Sequence, residues 1–147
     1  MAKSLGVFIA LMFMASSSLS IAQEDVISDD FTGKVETQFD NGELKTVLSY
    51  VDGVKHGDFI LYHENGQLKE QGYYKNDLKD GPWKRYHNNG DLQAEATYSV
   101  GMKDGKWKIW DENGVLRYDM TYSKDTKVDI WYMYDENASL VSERSYK

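Results

Sequence analysis

The chain has 147 residues, with 17 basic side chains, 24 acidic ones and no cysteine. Removing Lys3 with the signal sequence predicted below leaves 16 basic residues against 24 acidic ones, a net charge of −8. This acidity argues against nucleic acid as a partner and disfavours anionic membrane surfaces, and the lack of cysteine excludes disulfide stapling.

The first 22 residues are typical of a cleaved secretory signal sequence. Lys3 precedes an apolar run over residues 5–15, which is shorter than the roughly 20 residues that a membrane span needs. Ser20 and Ala22 supply the small side chains that a signal peptidase reads, so we expect cleavage before Gln23 and an exported, periplasmic or secreted protein. A retained membrane anchor is the alternative. No cysteine follows the run, which excludes a diacylglyceryl-cysteine lipoprotein.

After an acidic lead segment over residues 23–32, the chain repeats one pattern with a period of 24 residues. A unit of this size cannot bury a core alone, so its copies must stack into one body. Arrays of this kind present surfaces and seldom build one catalytic cleft. The five predicted copies are residues 33–56, 57–80, 81–104, 105–128 and 129–147.

Each copy predicts a β-hairpin. Two strand-length runs flank an Asn-Gly dipeptide in the second copy, and this dipeptide favours a two-residue turn that sets the register. The register pairs Phe59 with Gly72 and Gly57 with Tyr74. The predicted fold is therefore all-β, an elongated, open antiparallel meander of about five tandem hairpins.

Alternation along the strands sorts the bulky residues onto two faces. The tryptophans, the repeated leucines and the late tyrosines are predicted to form the buried face. The aromatic residues of opposite parity predict a second, evenly spaced row, about 9.5 Å from one repeat to the next. We call this row the aromatic ladder; its members are Tyr62, Tyr86, Trp110 and Tyr134.

The predicted two-residue turn also places two cations opposite ladder rings. Lys69 faces Tyr62 and Arg117 faces Trp110 in that register, where each cation can stack on the ring. A bulge, or a three-residue Glu-Asn-Gly loop, that turns the ladder residues inward is the alternative.

No catalytic, metal or cofactor site is predicted. His63 and His87 lie one repeat apart without a cysteine or a regular third ligand, and we interpret them as solvated strand-end residues. Asp80, Asp104 and Asp129 occur in turns, where aspartate commonly bonds the backbone. No cleft is indicated that would hold a carboxylate pair for glycan cleavage.

The pattern Gly-x-Trp-x-x-Tyr-x-x-Asn-Gly-x-Leu is clearest in residues 81–104 and 105–128. It resembles the MORN repeat, and more closely the bacterial variant found in proteins labelled YwqK-type toxin-antitoxin antitoxins. The resemblance covers residues 33–147. It implies a β-hairpin array used for protein association or, in some eukaryotic relatives, for membrane contact.

These observations favour an exported, non-enzymatic repeat module that binds another protein or an envelope polymer through the aromatic ladder. The first alternative is an antitoxin or immunity protein, and the second is a glycan-acting enzyme. The two edges of an open sheet also allow an edge-to-edge homodimer.

Overall fold

The structure, a computed structural model, describes residues 18–21 and 27–147. These residues form one open sheet of eleven strands that follow one another in chain order, and no helix occurs in these two ranges. The predicted all-β meander of hairpins is confirmed. The strands are β1 (Ser18–Ile21), β2 (Gly33–Gln38), β3 (Leu44–Val51), β4 (Val54–Tyr62), β5 (Leu68–Lys75), β6 (Leu78–Tyr86), β7 (Leu92–Ser99), β8 (Met102–Trp110), β9 (Leu116–Ser123), β10 (Thr126–Tyr134) and β11 (Leu140–Tyr146).

The strand β1 lies inside the predicted signal sequence and pairs in parallel with β2, so that Ser18 lies beside Lys34. All other neighbouring strands are antiparallel. The rest of the predicted signal sequence and residues 23–26 of the acidic lead lie outside the described residues. Cleavage before Gln23 therefore stays a prediction.

The central register within each hairpin agrees with the sequence. Phe59 pairs with Gly72 and Gly57 with Tyr74, while Trp83 pairs with Ala96. Large rings thus lie opposite small residues, and the rings of successive hairpins share one face of the sheet.

The rings on this face form a continuous aromatic row from β4 to β11. Trp83 stacks on Phe59 with centroids 5.4 Å apart, and Tyr98 and Tyr122 contact the indole of Trp107 at 5.2 and 5.4 Å. The members of the aromatic row are Phe59, Tyr74, Trp83, Tyr98, Trp107, Tyr122, Trp131 and Tyr146. Because the described residues form a single layer, the rings of this row bury apolar surface against one another.

One lysine per repeat lies over the aromatic row. The Nζ atom of Lys79 is 3.6 Å from the ring centroid of Trp83, and Lys103 lies 4.9 Å from the ring of Trp107. A cation over an aromatic face is attracted by the ring quadrupole, while its methylene stem covers apolar surface. Burial within the row raises the pKa of the Tyr98 phenol above its ordinary value.

Trp83 is the most buried member of the row, with 3 % of its surface exposed. Its indole lies directly against Gly72, where an added Cβ atom would enter the ring. Among the residues that the structure describes, its Nε1 atom has no hydrogen-bond partner. The indoles of Trp107 and Trp131 instead donate to backbone carbonyls, at 3.1 and 2.9 Å.

The tight two-residue turns lie between repeats. Their central residues all have positive φ, which is typical of type I′ turns. At one of them the N–H of Asp77 donates to the carbonyl of Lys55 at 2.9 Å, and its carboxylate accepts from the Lys55 N–H at 3.0 Å. The turn pairs are Asp52 and Gly53, Asn76 and Asp77, Val100 and Gly101, and Lys124 and Asp125. Such turns tie each hairpin to its neighbour.

The Asn-Gly loops differ from the prediction. The N–H of Gly66 donates to the carbonyl of His63 at 2.9 Å, and the N–H of His63 donates to the carbonyl of Gln67 at 2.8 Å. Only Gly66, with φ of 81°, is left-handed in this loop. The loop is the three-residue Glu-Asn-Gly alternative, in which glycine takes the position after a type I turn.

The contact between Trp83 and Gly72 yields a stability prediction. Gly72→Ala will lower the free energy of unfolding by about 2 kcal/mol, because the new methyl group overpacks the indole. Urea unfolding measures this change. In a Trp83→Leu background the same substitution should cost much less; an equal cost in both backgrounds would show that the indole is not responsible.

The turn at Val100 yields a second prediction. Val100 is β-branched, has a φ of 49° and is 59 % exposed. Val100→Asn will raise the free energy of unfolding by about 1 kcal/mol, because asparagine tolerates this conformation and valine does not. Val51→Asn, at an exposed strand position without positive φ, is the matched control and should give no gain. A gain in the control alone would contradict the assignment.

Candidate binding surface

The four ladder residues occupy equivalent places in the sheet. Tyr62, Tyr86, Trp110 and Tyr134 are the last residues of β4, β6, β8 and β10. Each is half-buried, so part of every ring is open to solvent. The sequence period of 24 residues thus becomes a regular array at one end of the strands.

The ladder lies on the face opposite the aromatic row. Alternation along β6 puts Tyr86 on the side opposite Trp83, and the Tyr86 hydroxyl accepts a hydrogen bond from Gln71 Nε2 at 3.2 Å. On β10 the rings of Tyr132 and Tyr134 lie 6.5 Å apart, as residues of the same parity should. The described part of the chain contains no second layer over this face.

Charged pairs cross the middle of the ladder face. Lys84 contacts Glu95 at 3.0 Å, and Lys108 contacts Asp119 at 3.8 Å. The hydrogen bond and charge of Glu95 raise the pKa of the Lys84 ammonium. Such pairs near the surface contribute little stability. They form a polar band on this face, between the ladder residues and the turns that join the repeats.

The predicted cross-strand partners of the ladder residues are wrong. The strand register shifts between Leu61 and Tyr62, because the three-residue loop and an extra residue in β5 displace the pairing. Tyr62 therefore pairs with Leu68 rather than with Lys69. The same shift pairs Tyr86 with Leu92, Trp110 with Leu116 and Tyr134 with Leu140.

The two predicted stacking cations have different environments. Arg117 Nε donates to the carbonyl of Tyr134 at 2.9 Å, and its Nη1 contacts Asp111 at 3.2 Å. Arg117 is thus a structural residue at the end of the array and does not stack on Trp110. Lys69 is exposed, and its side chain makes no ion pair within the described residues.

Side chains from one repeat hold the backbone of the next ladder residue. The His63 Nε2 atom lies 3.0 Å from the carbonyl of Tyr86, and His87 Nε2 lies 3.2 Å from the carbonyl of Trp110. A carbonyl only accepts, so Nε2 carries the proton in both rings. These bonds fix the spacing of neighbouring ladder residues.

Sequence reasoning missed this role of the histidines. Both are half-buried and hydrogen-bonded rather than solvated. The sequence did contain a signal for this role, because both histidines occupy the same position of the repeat, immediately after the ladder residue. The contact between each histidine and a carbonyl of the next repeat could be predicted only from the correct strand register. The predicted two-residue turn gave an incorrect register.

A shallow groove of about 640 Å³ lies at the loop ends of the first three hairpins. It combines two aromatic rings with amide and charged side chains. We call it the tip groove; it is lined by Phe39, Asn41, Tyr62, His63, Glu64, Asn65, Lys69 and Asn88.

The described residues contain no group of three or more histidine, cysteine or acidic side chains arranged to hold a metal ion. Within the same part of the chain, no helix has the length and apolar character that crossing a membrane requires.

The hairpins β4 to β5, β6 to β7 and β8 to β9 coincide with a known repeat. Three segments of the chain match the MORN repeat variant. The matches cover residues 55–76, 79–99 and 103–124. MORN repeats are commonly protein-binding or membrane-binding modules and are generally not catalytic. A comparison with curated proteins gave no match.

The first and last hairpins lie outside the three matches. Val35 and Gln38 replace the usual aromatics in the first hairpin, and Asp129 and Ala138 replace the usual glycines in the last. Asp129 and Ala138 keep the positive φ of the glycines that they replace, so the backbone is conserved between repeats although the residues differ.

Proposed function

We propose that the protein is an exported, non-enzymatic repeat module that binds another protein or a cell-envelope polymer through the aromatic ladder. The observation that carries this proposal is the recurrence of a half-buried aromatic residue at the ends of the four strands β4, β6, β8 and β10. Partner surfaces are enriched in such rings.

The architecture supports a binding role. Within the described residues the sheet is one layer and its most buried side chain, Trp83, belongs to the aromatic row, which supports a surface role for the half-buried ladder. The inter-repeat hydrogen bonds hold the ladder backbone in place, and binding then costs little ordering entropy. The common role of MORN repeats as binding modules agrees with this proposal.

Export follows from the predicted signal sequence over residues 1–22. An exported protein meets envelope polymers and other exported proteins, and the acidic chain disfavours anionic lipid surfaces. We therefore expect the ladder to bind ligands that present apolar or hydroxylated surface rather than phosphate groups.

The test is a ladder variant that carries Tyr62→Ser, Tyr86→Ser and Tyr134→Ser. The ligand is first captured from an envelope extract and identified by mass spectrometry, and its affinity is then measured by calorimetry. The variant should lose at least about tenfold in affinity because three contact rings are removed. Its thermal unfolding should change by only a few degrees.

Tyr118→Ser is the matched control, because Tyr118 is 41 % exposed and lies on the opposite face. It should bind as the unaltered protein does. Loss of binding in the control, or collapse of the fold in the triple variant, would contradict the assignment of the ladder as the binding surface.

A further inference from the structure

We propose that the tip groove binds a short segment of an oligosaccharide. This inference deepens the proposed function and rests on it, because Tyr62 belongs both to the aromatic ladder and to the groove. The volume of about 640 Å³ lies within the range of small-molecule sites.

The two rings of the groove supply apolar contact for a sugar. Phe39 lies in the loop of the first hairpin and Tyr62 ends β4. Both are half-buried, and the Lys45 Nζ atom lies 5.5 Å from the centroid of the Phe39 ring, which leaves Tyr62 and the other face of Phe39 for a ligand. The C–H groups of a pyranose ring pack against aromatic faces, which suits these two side chains.

The polar groups of the groove match hydroxyl groups. Asn41 uses its Oδ1 atom to accept from the Glu43 N–H at 2.9 Å, and its amide N–H groups make no hydrogen bond within the described residues. Within the described residues, the side chains of Glu64, Lys69 and Asn88 make no hydrogen bond or ion pair. A sugar hydroxyl both donates and accepts, so amides, a carboxylate and an ammonium can all bond it.

The same features disfavour a peptide or an anion. The backbone that borders the groove is already paired, since Phe39 N–H donates to Glu43 and His63 N–H donates to Gln67, both at 2.8 Å. No free strand edge is offered there for an added peptide strand. Lys69 is accompanied by Glu64, so the groove lacks the cation excess that phosphate binding requires.

The lining of the groove is not repeated one hairpin further along. One repeat further along, the hydroxyl that corresponds to Tyr62 is that of Tyr86, which is bonded to Gln71. The residues that correspond to Lys69 and Asn88 are Gln93 and Glu112. These differences supply matched control positions.

The experiment is calorimetric titration of the purified protein with β-1,4-linked tetrasaccharides of glucose and of N-acetylglucosamine. At least one should bind with a Kd near or below about 1 mM. Tyr62→Ala and Asn88→Ala should each weaken binding by about three- to tenfold, the effect of one lost contact. Asn88 is exposed and only its backbone carbonyl is used in the fold, so Asn88→Ala should keep the fold.

Tyr118→Ala and Glu112→Ala are the controls and should leave the affinity for the sugar within about twofold, as surface changes away from a site do. Failure of both tetrasaccharides to bind would overturn the groove proposal. Equal weakening by Glu112→Ala would overturn it as well, because the equivalent loop of the next hairpin and not the groove would then hold the sugar. If no sugar binds and the ladder variant still loses its captured ligand, the groove proposal fails alone and the proposed function stands.

Discussion

The structure depends on one constraint: a sheet of a single layer must cover its own apolar surface. No helix or second sheet lies over either face in residues 18–21 and 27–147. The aromatic row meets this constraint by contact between repeats, as where Trp83 stacks on Phe59 and Tyr74 meets the same indole at 5.1 Å. Each hairpin therefore depends on its neighbours for burial, which is the energetic pattern of a linear array.

This arrangement separates stability from recognition. The row, its lysines and the turns between repeats hold adjacent hairpins together on one face and at one end. The ladder lies on the other face and at the other end of the strands, where His63 and His87 hold its backbone in place. Because the two sets of rings differ in parity, a change in the ladder leaves the contacts of the row intact.

Much of this fold could be predicted from the sequence. The period of 24 residues predicts the array, and the size alternation at Phe59 and Gly72 predicts the central register. The loop type could not be read in the same way, because Asn-Gly suits both a two-residue turn and a three-residue loop with glycine last. Only backbone geometry distinguishes the two, with Gly66 alone left-handed.

Because the predicted loop type was incorrect, the predicted contacts of the candidate site were incorrect as well. A shift of one residue replaced Lys69 by Leu68 as the partner of Tyr62, since register alone decides which side chains meet. The tip groove was also invisible to sequence reasoning, because it joins loop residues from three repeats that only the stacked hairpins bring together. Strong periodicity thus predicted the scaffold, and irregular local geometry determined the surface.

The aromatic row joins the hairpins into one cooperative body. Native-state hydrogen exchange of a Trp83→Leu variant tests it most directly. Amide protection should fall together in β4 to β9, on both sides of the altered strand, because neighbouring repeats share their burial. Loss of protection confined to β6, with the flanking hairpins unchanged, would contradict it.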